Sequence, residues 1–167
     1  MLTLGIDPGI ATTGFGLVDQ QADKLVHVRN GAILTSPSES TAVRIGQIYK
    51  ELKAIIAQYK PEVVAVERLY FGQNTKTAMI VGQARGIILL AATEAGLPIA
   101  EYTPLQVKMA LTGYGKAEKR QIQLMVKMLL GLSTLPKPDD AADALAVAIT
   151  HINTFSLESR VMAGRIQ

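Results

Sequence analysis

Pro61-Glu62-Val63-Val64-Ala65-Val66-Glu67-Arg68 holds four apolar residues in a row between charged ones. A run this short and this uniformly apolar predicts a strand covered on both faces, as in the interior of a parallel sheet. The preceding segment places Ile45, Ile48, Tyr49, Leu52, Ile55, Ile56 and Tyr59 at helical spacing and stops before Pro61, which predicts a helix packed by one stripe. A strand that follows such a helix and returns to the same sheet makes a parallel crossover. Glu67 then stands at the carboxyl end of a buried parallel strand, the edge where α/β proteins assemble their sites.

Working toward the N-terminus, Leu2, Leu4 and Ile6 alternate with Thr3, Gly5 and Asp7 before Pro8-Gly9, the pattern of a half-buried strand. Further strands are predicted over Thr13 to Val18 and Leu25 to Leu34, joined by a polar turn at Asp19 to Asp23 as an antiparallel meander. Toward the C-terminus, a helix is predicted from Thr75 to Ala95, with Ala78, Gly82 and Gly86 on one side of it. Glycine inside a helix costs about 1 kcal/mol relative to alanine, so another backbone is expected to approach there, either the protein's own sheet or a partner subunit. A strand over Leu97 to Ala100, a turn-rich stretch, a helix from Ala117 to Leu130 with Ile122, Met125, Val126 and Leu129 inward, and a helix from Asp139 to Ile152 complete the prediction. The class is α/β, a mixed five-stranded sheet with helices on both faces. Residues 1–155 are expected to form the domain and 156–167 a flexible C-terminal tail.

With 167 residues, 49% of them hydrophobic, the chain suffices for one full core. No apolar stretch approaches the roughly 20 residues of a membrane span, and Met1 to Asp7 starts like a strand, not like a secretory signal. A soluble, cytoplasmic protein with no membrane partner is expected. The absence of cysteine excludes disulfides and thiolate metal sites. His27 and His151 are isolated from each other and read as structural, which disfavours zinc. A net charge of +3 favours an anionic partner, and Arg68, Lys76, Arg85, Lys108, Lys116, Lys119 and Arg120 form a mid-chain zone able to contact phosphate.

Acids stand where apolar elements begin or end: Asp7 in GIDPG, Glu67 in VVAVER, and Asp140 with Asp143 in DDAADAL. Each has an ordinary reading. Asp-Pro-Gly favours a turn, Glu67 can pair with Arg68, and an acid in the first turn of a helix is stabilised by the dipole or by capping. Capping suits Asp139 but does not account for Asp143, which shares a face with Asp140. An all-oxygen ligand set suits a hard cation such as Mg²⁺, and a metal-assisted reaction on phosphate is the function these acids favour. Tyr70 and Phe71 lie in a polar, glycine-containing loop beside Glu67, where rings can stack on bases. Lys116 and Lys119, near Gly113 and Gly115, can cradle phosphate.

The stretches GIDPGIATTGFG, VERLYFGQNTKTAMIVGQARGIILLAA, EYTPLQVKMALTGYGKAEKRQIQ and PDDAADALAVAITH together resemble the RuvC family of Holliday-junction resolvases, from residue 1 to about 153. The resemblance implies an RNase H-like fold and a metal-dependent endodeoxyribonuclease that makes paired symmetric cuts in four-way DNA junctions during recombination and repair. It implies that Asp7, Glu67, Asp140 and Asp143 are catalytic and hold two Mg²⁺ ions per subunit, with Mn²⁺ able to substitute. By the same likeness, Lys108 and Lys119 match active-site or phosphate-binding lysines and Tyr70 a loop aromatic near the junction centre; Lys76 and Lys116, from the basic zone itself, are expected as further DNA contacts. Implied partners are the junction, a second copy of the chain in a homodimer, and the branch-migration proteins RuvA and RuvB. Two alternatives stand beside it: GIDPGIATTG also resembles the phosphate-binding hairpin of actin-like ATPases and sugar kinases, and a non-catalytic junction-binding module could keep the same acids as caps.

Overall fold

A computed structural model of the chain describes residues 1–68 and 75–164, without the side chains of 75–78, 158–160 and 162–163. In chain order the elements are β1 (Leu2–Asp7), β2 (Thr12–Gln21), β3 (Lys24–Leu34), α1 (Thr41–Tyr59), β4 (Val63–Glu67), α2 (Thr75–Glu94), β5 (Ile99–Tyr102), α3 (Pro104–Thr112), α4 (Lys119–Leu129) and α5 (Asp139–Gly164). The strands form one five-stranded sheet in the order β3-β2-β1-β4-β5. The first three make the antiparallel meander, and β4 and β5 add in parallel.

β4 lies as its composition demands, with Val63 to Val66 buried. β1 departs from the half-buried expectation. It is the central strand, so Thr3 and Gly5 are buried along with Leu4 and Ile6. The small residues on its second face answer to α5: a Cβ on Gly5 would stand 2.0 Å from the Ala144 carbonyl oxygen, and one on Gly14 of β2 would stand 2.0 Å from that of Asp140. Sheet and helix backbones touch, and α5 is drawn down onto the middle of the sheet.

Two cores result. Leu4, Ile6, Leu17, Val64 and Val66 pack on α1 and α2 through Ile48, Leu52, Ile56 and Ile88. On the other face, Val18 and Ala65 meet α3, α4 and α5 through Val107, Ile122, Val126, Leu145 and Ile149.

Several boundaries differ from expectation. β2 continues to Gln21, and the turn shrinks to Ala22-Asp23, with Ala22 in the left-handed region. β5 begins two residues later than predicted and runs to Tyr102. The turn-rich stretch contains the helix α3, started by a capping box between Thr103 and Gln106 with Pro104 in the first turn and closed by Gly113. In α4, Leu130 is buried where Leu129 was expected to be, because the helix yields to its C-cap at Leu130. Asp139 is the first residue inside α5, not its cap; the Pro138 carbonyl precedes it and accepts from Ala141 and Ala142. α5 continues without a break at Thr154, as far as Gly164.

Among the described residues, no other backbone approaches the glycines of α2. A Cβ on Gly82 or Gly86 would find nothing within 4 Å, so the sheet does not supply the approach expected there. Met79 and Leu90 are exposed on the same side of the helix.

Candidate active site

The register of the sheet does the first part of the assembly. Ile6 on β1 is opposite Val66 on β4, so the next residues, Asp7 and Glu67, end adjacent parallel strands side by side. The segment after Asp7 is fastened into a tight return: the Thr13 hydroxyl donates to the Gly9 carbonyl at 2.6 Å, and Thr35 closes it with its backbone N–H on Ala11 and its hydroxyl on Ile10. The close packing at Gly14 sets the start of α5 over the same edge, which brings Asp140 and Asp143 to the strand-end acids.

Electrostatics records the convergence. Burial, then the charges of Glu67, Asp143 and Asp140, push Asp7 from 3.8 up to about 8, with contact to the Glu67 carboxyl adding to the shift. Glu67 is raised first by burial and then by Asp143; its bond from Asp7 and the charge of Lys119 oppose the shift. Burial also lifts Asp143, against the opposing pull of Lys119. Three partly buried carboxyls held above their ordinary range, with the charge of Asp140 beside them, make a site whose natural complement is a cation. Among the described residues, however, no three acid or histidine side chains already enclose an ion-sized position; Asp7 and Glu67 are tied to each other, and Asp143 to Lys119.

Lys119, the first residue of α4, places its Nζ 2.9 Å from Asp143 Oδ2 and 3.7 Å from Asp139. Burial opposes its charge, but the bond to Asp143 and the surrounding acids prevail and hold its pKa above the usual value. Glu67, Asp143, Lys108 and Lys119 line a pocket of about 190 Å³ whose apolar wall is Val107, Ile122 and Ala146. Lys108 arrives there on α3, the helix that sequence periodicity did not reveal.

The remaining candidates scatter. Lys116 is exposed and does not line this pocket. Tyr70 lies outside the described residues, as does the side chain of Lys76. Arg68 and Arg85 are not free to meet phosphate: both contact Glu101, Arg68 at 3.4 Å and Arg85 more closely. The carboxyl of Glu101 is held low, because the hydrogen bond and charge of Arg85, then of Arg68, outweigh its burial. Sequence reasoning passed over Glu101 because β5 was ended at Ala100; as a strand-end acid beside Val66 it carried the signal that singled out Glu67. His27 bonds Asn30 at 2.7 Å, and His151, buried, meets the Tyr102 hydroxyl at 2.9 Å. Both make side-chain contacts within the fold.

A mixed sheet in this order, with acids ending its central parallel strands and a third group on the helix laid across them, defines the RNase H-like class of nucleases. Comparison with known proteins narrows the class. Residues 3–151 match the family model described as "Crossover junction endodeoxyribonuclease RuvC". The chain is 54% identical over 159 residues to the crossover junction endodeoxyribonuclease RuvC of Syntrophomonas wolfei, covering 95% of this chain and 92% of that one. It superposes on Thermus thermophilus RuvC in complex with Holliday junction substrate with a TM-score of 0.90 at 40% identity, covering 95% and 96% of the two chains. The yeast mitochondrial Holliday junction resolvase Ydc2 shares the fold, with a TM-score of 0.66 at 16% identity and 90% and 77% coverage. The chain belongs to the RuvC family of crossover junction endodeoxyribonucleases.

Proposed function

We propose that the protein resolves four-way DNA junctions by paired, divalent-metal-dependent cuts. The observation that carries this reading is the meeting of Asp7, Glu67, Asp140 and Asp143 at one sheet edge, with Lys108 and Lys119 on its rim. The actin-like alternative has no support in the family to which the chain belongs.

The four carboxylates offer hard oxygen donors only, a set suited to Mg²⁺ or Mn²⁺. Two such ions, when bound, would supply an activated water and neutralise the departing oxygen. The chain's own groups do the rest. Asp7 and Glu67, fixed by adjacent strands, set the spacing of the ligands. Lys119 favours the ionised form of Asp143 and, once a cation takes over that carboxylate, can turn to a phosphate oxygen, while Lys108 offers a second ammonium to the strand being cut. The apolar wall of Val107, Ile122 and Ala146 limits water around the reacting phosphate.

A four-way junction needs two symmetry-related cuts, and a two-fold dimer presents two matching sites. The open glycine side of α2, flanked by exposed Met79 and Leu90, is the surface we assign to the second copy. Through family kinship, RuvA and RuvB belong to the same proposal as partners. A labelled synthetic junction incubated with Mg²⁺ or with EDTA tests the function: symmetric nicks that need the ion are expected, and a junction bound yet uncut with Mg²⁺ and with Mn²⁺ would overturn it.

A further inference from the structure

Beside the carboxylate edge runs a second concavity, of about 780 Å³, between β3, the start of α4 and the loop from Leu132 to Lys137. Its charged wall consists of Arg120 and Lys137, with His27, Asn30, Ser133 and Thr134 adding polar groups, and no acid lines it. Its two basic residues neighbour the active site along the chain: Arg120 follows Lys119 on α4, and Lys137 precedes by two residues Asp139, which Lys119 approaches at 3.7 Å.

Its cations differ from the others near the site. Arg68, Arg85 and Lys119 are each engaged by an acid, whereas Arg120 and Lys137 are exposed and make no ion pair among the described residues. The groove is also firm. Leu132 packs against the α5 core, Pro136 is buried, and His27 is held by Asn30. Uncompensated cations on a fixed surface that continues out of a nuclease site suit a polyanion passing through that site. A duplex, with a phosphate charge about every 1.7 Å along its axis, is such a polyanion.

We propose that this groove seats the phosphodiester backbone of a junction arm leading away from the point of cleavage, with Arg120 and Lys137 as its phosphate contacts. The proposal rests on the nuclease reading above and adds a location, a ligand class and two residues to it. Phosphate contacts of this kind fix register and carry affinity without reading bases.

The test is the affinity of the full-length protein for a fluorescent junction in EDTA over a salt series, with arms of about two helical turns and with arms trimmed to a few pairs. For Arg120→Glu with Lys137→Glu, affinity for the long-armed junction is expected to fall about tenfold or more. The slope of log affinity against log salt should shrink by about 2, at roughly 0.9 per phosphate contact. On trimmed arms the variant and the unaltered protein should bind alike. Arg120→Lys with Lys137→Arg should restore long-arm binding, which separates lost charge from lost folding. With Mg²⁺, more protein should recover cutting by the charge-reversed variant, whereas Asp7→Asn should stay uncut at every concentration. Equal binding of long arms by the variant and the unaltered protein would overturn the proposal, as would an equal loss on long and trimmed arms, or polyglutamate competing as well as duplex. An unaltered protein that neither binds nor cuts a junction would instead refute the function on which the proposal stands.

Discussion

Asp7 and Glu67 end neighbouring parallel strands side by side, close enough for their carboxyls to share a proton. Such a contact needs a proton between two carboxyl groups that water would otherwise leave ionised, and the fold supplies the reason to keep it: burial, then the neighbouring charges. The site therefore stores an electrostatic demand that a proton or a cation can meet.

Replacing Asp7 by Asn keeps the shape and can still donate to Glu67, but it removes a proposed metal ligand. Cleavage should fall by at least about 10²-fold to 10³-fold, the usual scale for losing one electrostatic element of a site, while junction affinity in EDTA stays within about twofold. Gel-shift and single-turnover nicking assays on one preparation measure both.

The shift of Asp7 to about 8, from 3.8 in an unfolded chain, has a definite sign in pH. A folded-state pKa above the unfolded one stabilises the protein fully below the unfolded value, and that contribution is lost as pH rises through the folded value. Glu67 and Asp143 are shifted the same way. In EDTA, the thermal midpoint should decline from about pH 5 to about pH 9. Mg²⁺ should remove most of the decline, and Asp7→Asn should flatten it. A midpoint in EDTA that rises over this range would contradict the assignment.

Glu101 behaves oppositely. Its lowered pKa means that its contribution is present above the unfolded value and lost as pH falls through the folded one. Glu101→Gln leaves Arg85, whose Nε is already buried without a hydrogen bond, lacking its charged partner. The cost should be about 1–3 kcal/mol near neutrality and should shrink in acid; urea titrations at two pH values measure it.

Gly14→Ala drives a methyl group into the Asp140 carbonyl. It should destabilise by more than about 2 kcal/mol, as overpacking does, and lower cleavage even at temperatures where the variant is folded, since the start of α5 must shift. Gly46→Ala, inside α1 with nothing within 4 Å, should instead stabilise by up to about 1 kcal/mol.

How far the sequence could be read depended on the range of the interaction that decides each feature. β1 and β4 follow from periodicity and local stops, with bounds within a residue or so of those expected, and the end of α1 at Tyr59 follows from Pro61. α3 was hidden because Thr103-Pro104 was taken as turn chemistry, although Thr103 and Gln106 form a capping box. The burial of Thr3 and Gly5 was not legible, since nothing local says that α5 will cover the second face of β1. At the site, strand-end and helix-start placement singled out Asp7, Glu67, Asp140 and Asp143, but only the sheet register and the contact at Gly14 explain why they meet. Charge clustering put Lys108 and Lys119 in a basic zone of seven residues, and the family resemblance separated them from the rest. The commitment of Arg68 and Arg85 to Glu101 was missed, because a charge counted along the chain carries no record of its partner.

The bare backbones at Gly5 and Gly14 have one more consequence. Since α5 reaches the strand ends only by lying flat on the sheet, the proposed metal ligands are scattered in any chain that has not finished docking this helix. An enzyme built this way is harmless to DNA until its core has closed, and a nascent or partly melted copy is a disarmed one.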